Sequence, residues 1–327
     1  SAEAAKVLYG PYIMNAHAPD EGNMHTMHHF ATEYQREQYL NPLLEGEIRS
    51  CFSMTEPEVA GSDPTLIQTT AVEDGDDWVI NGHKWFTSGA RGASFAIVIA
   101  RTDPDAEIPQ ARNSAFIVDC DSPGFEIVRD IETMSGSHNH CEILYNDVRV
   151  SKANLLGERG GGHKLGQVRL GPARLAHCMR WLGEIELALE MLIDRAQQRF
   201  AHGSLLSEKQ SIQWMMSDSA MELYASKLMV LHAAYKIENG MEFKQEVSMA
   251  KHHVANTLWK VCDRAVQVHG ALGYSKDSPL SAMLQQARWE RLADGADEVH
   301  QMRIADLLMR AYNDTGSVNA GVGGLPL

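Results

Sequence analysis

The sequence predicts an α+β protein, and two changes of hydrophobic period along the chain are what predict it. Apolar residues keep a helical spacing to about residue 48, follow strand-like patterns from about 50 to 160, and return to a helical spacing from about 168. No helical pattern separates the strand-like runs, so the middle reads as an antiparallel barrel or sandwich, because a parallel sheet needs long crossovers. The last stretch holds four or more long helices, which implies a bundle. The expected division is 1–48 as helical remnant, 49–165 as β domain, 166–315 as helical bundle and 316–327 as a loose tail.

In the first stretch, Asn23 or Thr26 is a candidate helix start, and "EYQREQYLNPLLEG" makes an amphipathic helix ending near Gly46. These helices are too few to bury a core alone, so they belong to a larger assembly. In the middle stretch, "QTTAVEDGDDWVINGHKWF" contains two runs joined at an Asp-Gly turn signal. "SFAIVIART", "SAFIVDCD", "FEIVRD" and "CEILYNDVRV" follow, with breakers between them. In the last stretch, Tyr224, Leu228, Leu231 and Tyr235 form one helical stripe. Val247, Ala250, Val254, Leu258, Val261, Ala265 and Val268 form a longer one, and Gly240 marks a helix stop between them. Further helices run over roughly 279–292 and 297–312.

The 327 residues are 44% hydrophobic and 22% charged, the composition of a compact chain. A formal charge of −14 with no basic tract argues against nucleic acid as a partner. There is no apolar run of membrane-spanning length and no signal-peptide pattern, and "SAEAAKVLYG" looks like an entry into the middle of a fold. Five cysteines, at 51, 120, 141, 178 and 262, lack CxxC spacing and read as reduced structural thiols of a cytosol-like compartment.

Several stretches carry candidate chemistry. In "CFSMTEPEVAGSD", Thr55 offers a hydroxyl and Gly61-Ser62 frees backbone N–H groups for an anion or a polar ring edge; a turn between strands explains the same residues equally well. "KWFTSGA" sets two aromatics beside Thr87 and Ser88, which suits a flat ring needing a hydrogen bond, and equally a core aromatic pair. "GERGGGHK" lacks the ending of a phosphate loop and reads as a flexible connection from sheet to bundle. The histidines of "HNH" (138–140), and the pairs His28-His29 and His252-His253, lack the partners of a metal site. Arg174 follows Pro172 near the expected first turn of a long helix, where it can reach an anionic or polar substrate arm or form a surface ion pair. Asp294, in "RLADGADEVH", sits in a loop between two apolar helices, either as a solvated turn or as a partly buried carboxylate of raised pKa suited to general-base work.

Together these stretches resemble the acyl-CoA dehydrogenase family of flavoproteins. "MTEPEVAGSD" and "WVINGHKWFTSG" resemble its middle-domain signatures, "ILYNDVRVSKANLLGERGGG" the segment leaving that domain, and "RAVQVHGALGYSKDSPL…ARWERLADGADEVHQMRIA" its C-terminal signature. "APDEGNM", "GPARLAHCMR" and the Asp-Gly pair at 294–295 resemble the branch with Asp in place of the usual catalytic Glu.

The resemblance implies a helical, β and helical subunit that binds FAD partly across a subunit interface. Phe52, Met54 and Thr55 would lie along the flavin, Phe86 would pack on its ring system and Ser88 would bond near N5. Arg199, Gln267, His269, Gly270 and Gly273 would contact the FAD of a partner subunit, Ser62 and Arg174 would contact substrate, and Asp294 would be the base. The implied reaction is α,β-dehydrogenation of a fatty acyl-CoA to a trans-2-enoyl-CoA, as in β-oxidation. Its carbonyl would be polarised by the ribityl 2′-hydroxyl and the backbone N–H of the base residue.

Electrons would pass to an electron-transfer flavoprotein from a homodimer or homotetramer in the cytoplasm, or in a mitochondrial or peroxisomal matrix. Three departures stand out: Asp for Glu at 294, His202-Gly203 for the usual Phe-Gly, and only about 50 residues before the Met54-Thr55-Glu56 motif, which leaves the first helical domain largely missing. The short N-terminus and His202 favour one alternative, a non-catalytic or partner-requiring subunit of a hetero-oligomer; an acyl-CoA oxidase on the same fold, differing in oxygen access, is another.

Overall fold

The computed structural model describes residues 1–7 and 9–322, without the side chains of residues 138, 320 and 321. The expected tail from 323 onward and the side chain of His138 therefore lie outside the described residues. The fold is α+β, with short helices first, then one mixed sheet, then a helical bundle. It forms two compact units, residues 12–173 and residues 1–11 with 174–327.

The first unit begins with helix α1 (Asp20–Phe30). Neither Asn23 nor Thr26 starts it; both are buried inside it, contrary to expectation. Asn23 Nδ2 instead donates to Ser50 Oγ at 2.9 Å, and Thr26 Oγ1 to Gly22 O at 2.7 Å, the back-bonding that lets threonine sit within a helix. The next helical stretch, 33–44, contains one wider π turn at Arg36–Leu40. Thr32 and Gln35 form a capping box at its start, and Gly46 follows it with a positive φ of 75°.

Eight strands follow: β1 (Ser50–Ser53), β2 (Thr70–Asp74), β3 (Asp77–Ser88), β4 (Phe95–Arg101), β5 (Asn113–Asp119), β6 (Phe125–Thr133), β7 (Gly136–Ser151) and β8 (Leu155–Leu156). Their order is β6-β7-β3-β2-β4-β5-β8, with β1 on β4. Most pairs are antiparallel as expected, but β1 and β2 meet β4 in parallel, so the sheet is mixed. The continuous apolar run of β4 has a physical reason: Ala96, Val98 and Ala100 enter one core while Phe95, Ile97 and Ile99 enter another, so both faces are buried.

The glycines at 160–162 are not a loose connection. A Cβ on Gly160 would lie 2.8 Å from Ala111 O, and one on Gly162 2.8 Å from Asn113 O, so their role is close backbone packing. Helix α2 (Gly162–Gln198) starts there, several residues earlier than the hydrophobic period suggests. Pro172 consequently lies inside the helix, and Arg174 in its interior rather than its first turn.

The second unit holds α2 from Arg174, α3 (Gln210–Glu238), α4 (Lys244–His269), α5 (Leu280–Glu290) and α6 (Asp297–Thr315). The long stripe from Val247 to Val268 is buried as its spacing predicts. Each such valine or leucine contributes about 1.5–3 kcal/mol. The stripe on α3 behaves oppositely: Tyr224, Leu228, Leu231 and Tyr235 are exposed, while Leu223, Ser226, Val230 and Ala233 face the core. The five cysteines are free, and burial pushes Cys141 up to about 11 and Cys178 up to about 12, so both are inert thiols at neutral pH. No helix among the described residues is long and apolar enough to cross a membrane.

Candidate active site

Each unit carries its own group of candidate residues. In the first, β3 and β7 lose register between Lys84 and Thr87, and this irregularity lifts Trp85 and Phe86 out of the ladder. Phe86 has φ 48° and is 40% exposed. A left-handed conformation costs a bulky side chain about 1–3 kcal/mol and is held only where the surroundings enforce it, which favours a functional surface over a core aromatic pair. Thr87 points inward and shares a hydrogen bond with Ser53 Oγ at 3.2 Å. Ser88 Oγ meets His140 Nδ1 at 2.7 Å, beside Phe86.

Phe52 lies under the Arg169 guanidinium at 4.1 Å. Thr55 lies against Gly61, where a Cβ would come within 2.9 Å of Thr55 Cγ2, and Ser62 is exposed next to it. The intervening Glu56 is structural, a role the sequence did not disclose. Its buried carboxylate accepts from Lys84 Nζ at 2.9 Å, Gln68 N at 2.7 Å and Thr69 N at 2.8 Å. Lys84 Nζ also donates to Met54 O at 2.8 Å, so this ion pair fastens the Met54-Thr55 turn. Burial raises the Glu56 pKa, but Lys84 and the other two donors outweigh it and hold the carboxyl low; desolvation takes Lys84 down to about 8 against Glu56's pull.

These residues fit a flat, polar-edged cofactor such as FAD. An exposed aromatic face, the Thr55 and Ser88 hydroxyls, and a buried Trp85 Nε1 without a hydrogen-bond partner among the described residues stand on one stretch of structure. Such an aromatic face with convergent hydrogen-bonding groups is what an isoalloxazine needs.

In the second unit, the acids of "RLADGADEVH" separate into three roles. Glu298 is exposed. Asp297 braces the start of α6, with Arg291 Nε at 2.7 Å, Asn256 Nδ2 at 3.2 Å and His252 Nδ1 at 3.3 Å. Asp294 faces a small crevice lined by Arg174, His177, Trp181, Lys251, Glu290 and Ala293. Its Oδ2 stands 3.2 Å from His177 Nε2, and its own carbonyl accepts from Arg174 Nε at 2.8 Å. Asp294 has φ 52° and Gly295 φ 104°, so the pair forms a left-handed turn. A side chain at 295 would also press to 3.0 Å from His300 Nε2.

Desolvation lowers the Arg174 pKa, and Asp294 opposes the shift. Desolvation and then the Glu184 charge push buried Glu290 up to about 8, so it is a neutral acid at pH 7. His177 and Glu290 lie within the quoted stretches "GPARLAHCMR" and "ARWERLADGADEVHQMRIA" but were not singled out there, and Lys251 lies in no motif; a buried charge on the α4 stripe was its only signal.

Arg199 is exposed just before a hairpin of Phe200–Ala201 and Ser204–Leu205. His202 (φ 50°) and Gly203 (φ 82°) form its two-residue turn, the geometry favoured for tight hairpins. Gln267 is exposed at the end of α4, while His269 is half-buried with Nδ1 on Ala265 O at 2.8 Å. Gly270 caps the helix at φ 64°, ψ −139°. Gly273 packs so closely that a Cβ would meet Val266 O at 2.7 Å.

Comparison with known proteins places the chain in an oxidoreductase class built from a β domain and a helical bundle. The chain belongs to the acyl-CoA dehydrogenase family: residues 51–148 match its middle domain and residues 160–309 its C-terminal domain. It is 46% identical over 301 residues to "Probable acyl-CoA dehydrogenase FadE2" of Mycobacterium tuberculosis, a match that covers 90% of this chain and 74% of that one. It is 40% identical over 313 residues to acyl-CoA dehydrogenase family member 11 of Gallus gallus, covering 93% of this chain but only 40% of that protein's length. A solved acyl-CoA dehydrogenase-like structure from Mycobacterium abscessus superposes with a TM-score of 0.92 at 38% identity, covering 95% of this chain and 78% of that one.

Proposed function

We propose that this chain removes one hydrogen each from the α and β carbons of a saturated acyl-CoA thioester, giving the trans-2-enoyl-CoA. Family membership supports the reaction class, and the observation that carries the reading is the placement of Asp294. Of three neighbouring acids, it alone turns its carboxylate to a crevice, on a turn held by the buried Lys251 and the half-buried Arg174. FAD, when bound, supplies the acceptor for the β-hydride.

Phe52, Met54, Thr55, Phe86 and Ser88 would hold the ring system, and Arg199, Gln267, His269, Gly270 and Gly273 the dinucleotide of a partner subunit. Ser62 and Arg174 would contact the thioester's polar arm. Asp294 takes the α-proton onto its carboxylate, with His177 at Oδ2 fixing the carboxyl's orientation. Because Asp is one methylene shorter than Glu, the turn must bring the substrate close. Arg174 and the left-handed backbone set that position.

The exposed stripe on α3 supports a homodimer or homotetramer, since Trp214, Met221, Tyr224, Leu228, Leu231 and Tyr235 place large apolar groups in water on one helix. An electron-transfer flavoprotein is the proposed electron acceptor. Comparing substrate-driven bleaching of the flavin in the parent and in Asp294→Asn tests the reading. The variant should keep its flavin and lose bleaching; bleaching at the parent rate excludes Asp294 as the base.

A further inference from the structure

Lys251 lies within the apolar stripe of α4 and is only 1% exposed. Its Nζ donates to Gly295 O at 2.7 Å, while Arg174 Nε donates to the preceding carbonyl, Asp294 O, at 2.8 Å. Two cations from two helices thus hold consecutive carbonyls of a turn whose residues both have positive φ. If filling space were the only need, an apolar side chain of the same length would serve at lower cost, because an ammonium loses its hydration on burial. Desolvation does lower the Lys251 pKa, and the negative charge of Asp294 opposes that shift.

We propose that Lys251 is a positioning residue for Asp294, anchoring the Gly295 carbonyl so that the carboxylate is held toward the crevice. The proposal rests on the reading of Asp294 as the base. The charge of Lys251 adds a second effect, since an ammonium facing a carboxylate favours its ionised form. The other titratable groups facing Asp294 are Arg174 and His177 from α2, Glu290 from α5 and His300 from α6. His300 is pushed down to about 3 by desolvation and the charges of Arg174 and Lys251, and so stays neutral; desolvation also lowers Arg174 and Lys251, a shift that the Asp294 charge opposes in both.

The test is the anaerobic rate of flavin bleaching by a saturated acyl-CoA, followed between about pH 5 and 8 for the flavin-loaded parent, Lys251→Met and Asp294→Asn. Lys251→Met should bleach about 10–100-fold more slowly, with acyl-CoA binding within about twofold of the parent. Its acid limb should move to higher pH, because the carboxyl loses a neighbouring cation. A space-filling role would leave that limb where it is.

A parent-like rate and limb in Lys251→Met, with Asp294→Asn inactive, overturns the proposal and leaves the base reading intact. Parent-rate bleaching in Asp294→Asn overturns the base reading itself. Should Lys251→Met not fold or hold flavin, Lys251→Gln keeps a donor and loses the charge, and its acid limb should still move. An unmoved limb, or failure of both variants to fold, makes Lys251 a structural residue only.

Discussion

Lys84→Met removes the ammonium from the most buried ion pair in the β unit while nearly keeping side-chain length. Lys84 is 0% and Glu56 1% exposed, so water cannot take over the solvation of the carboxylate left behind. Glu56 would retain the Gln68 and Thr69 N–H groups but face burial uncompensated by a positive charge. Breaking such a pair from one side costs about 3–5 kcal/mol, and at roughly 2–4 °C per kcal/mol for a unit of this size the melting point falls by at least 6 °C.

The double variant Lys84→Met/Glu56→Gln removes both charges and should be more stable than Lys84→Met alone. The pH dependence has a definite sign. In the parent, the depressed Glu56 pKa contributes stability above the usual carboxylate range, lost as pH falls through the folded value. In Lys84→Met, desolvation is unopposed and the Glu56 pKa rises, so its protonation stabilises the variant relative to neutral pH. The gap between parent and variant should therefore narrow as pH falls from about 7 to 5. Urea and thermal melts followed by tryptophan fluorescence, with flavin content measured alongside, report all three effects. A loss under about 1 kcal/mol, or a double variant no more stable than the single one, refutes the assignment of Glu56–Lys84 as the fastening of the Met54-Thr55 turn.

Gly273→Ala should destabilise the protein by about 1–3 kcal/mol and lower flavin content, because its Cβ would meet Val266 O at 2.7 Å and His269 Cβ at 2.8 Å; an unchanged melting point counts against that packing. Leu231→Glu places a charge in the exposed α3 stripe, so sedimentation should show a smaller assembly with an unchanged circular dichroism spectrum. An unaltered size would show that the stripe is not a subunit interface.

The sequence carried the order of elements because each period reports burial, and burial on α4 and along β4 is decided within this chain. The α3 stripe misled for the same reason: Tyr224, Leu228, Leu231 and Tyr235 have the spacing of a buried face, and spacing alone does not say which surface covers it. Helix α2 begins earlier than its hydrophobic pattern, because Gly162 is fixed by close packing on Asn113, and Pro172 is tolerated inside the helix. At the candidate site, the Asp294-Gly295 pair was legible through its place in a loop between two apolar helices and through the family resemblance. Its supports were not, since Lys251 and Glu290 become part of the crevice only when α2, α4 and α5 are packed together. Glu56 lay within a recognised motif, yet its structural role depended on Lys84 from another strand.

The most direct measurement is an anaerobic titration of the purified protein with saturated acyl-CoAs of short, long and branched chains, watching the visible flavin band in the parent and in Asp294→Asn. The account predicts a yellow parent that bleaches with at least one of them, and a yellow Asp294→Asn that bleaches with none. A parent that binds flavin yet is indifferent to every acyl-CoA would contradict it.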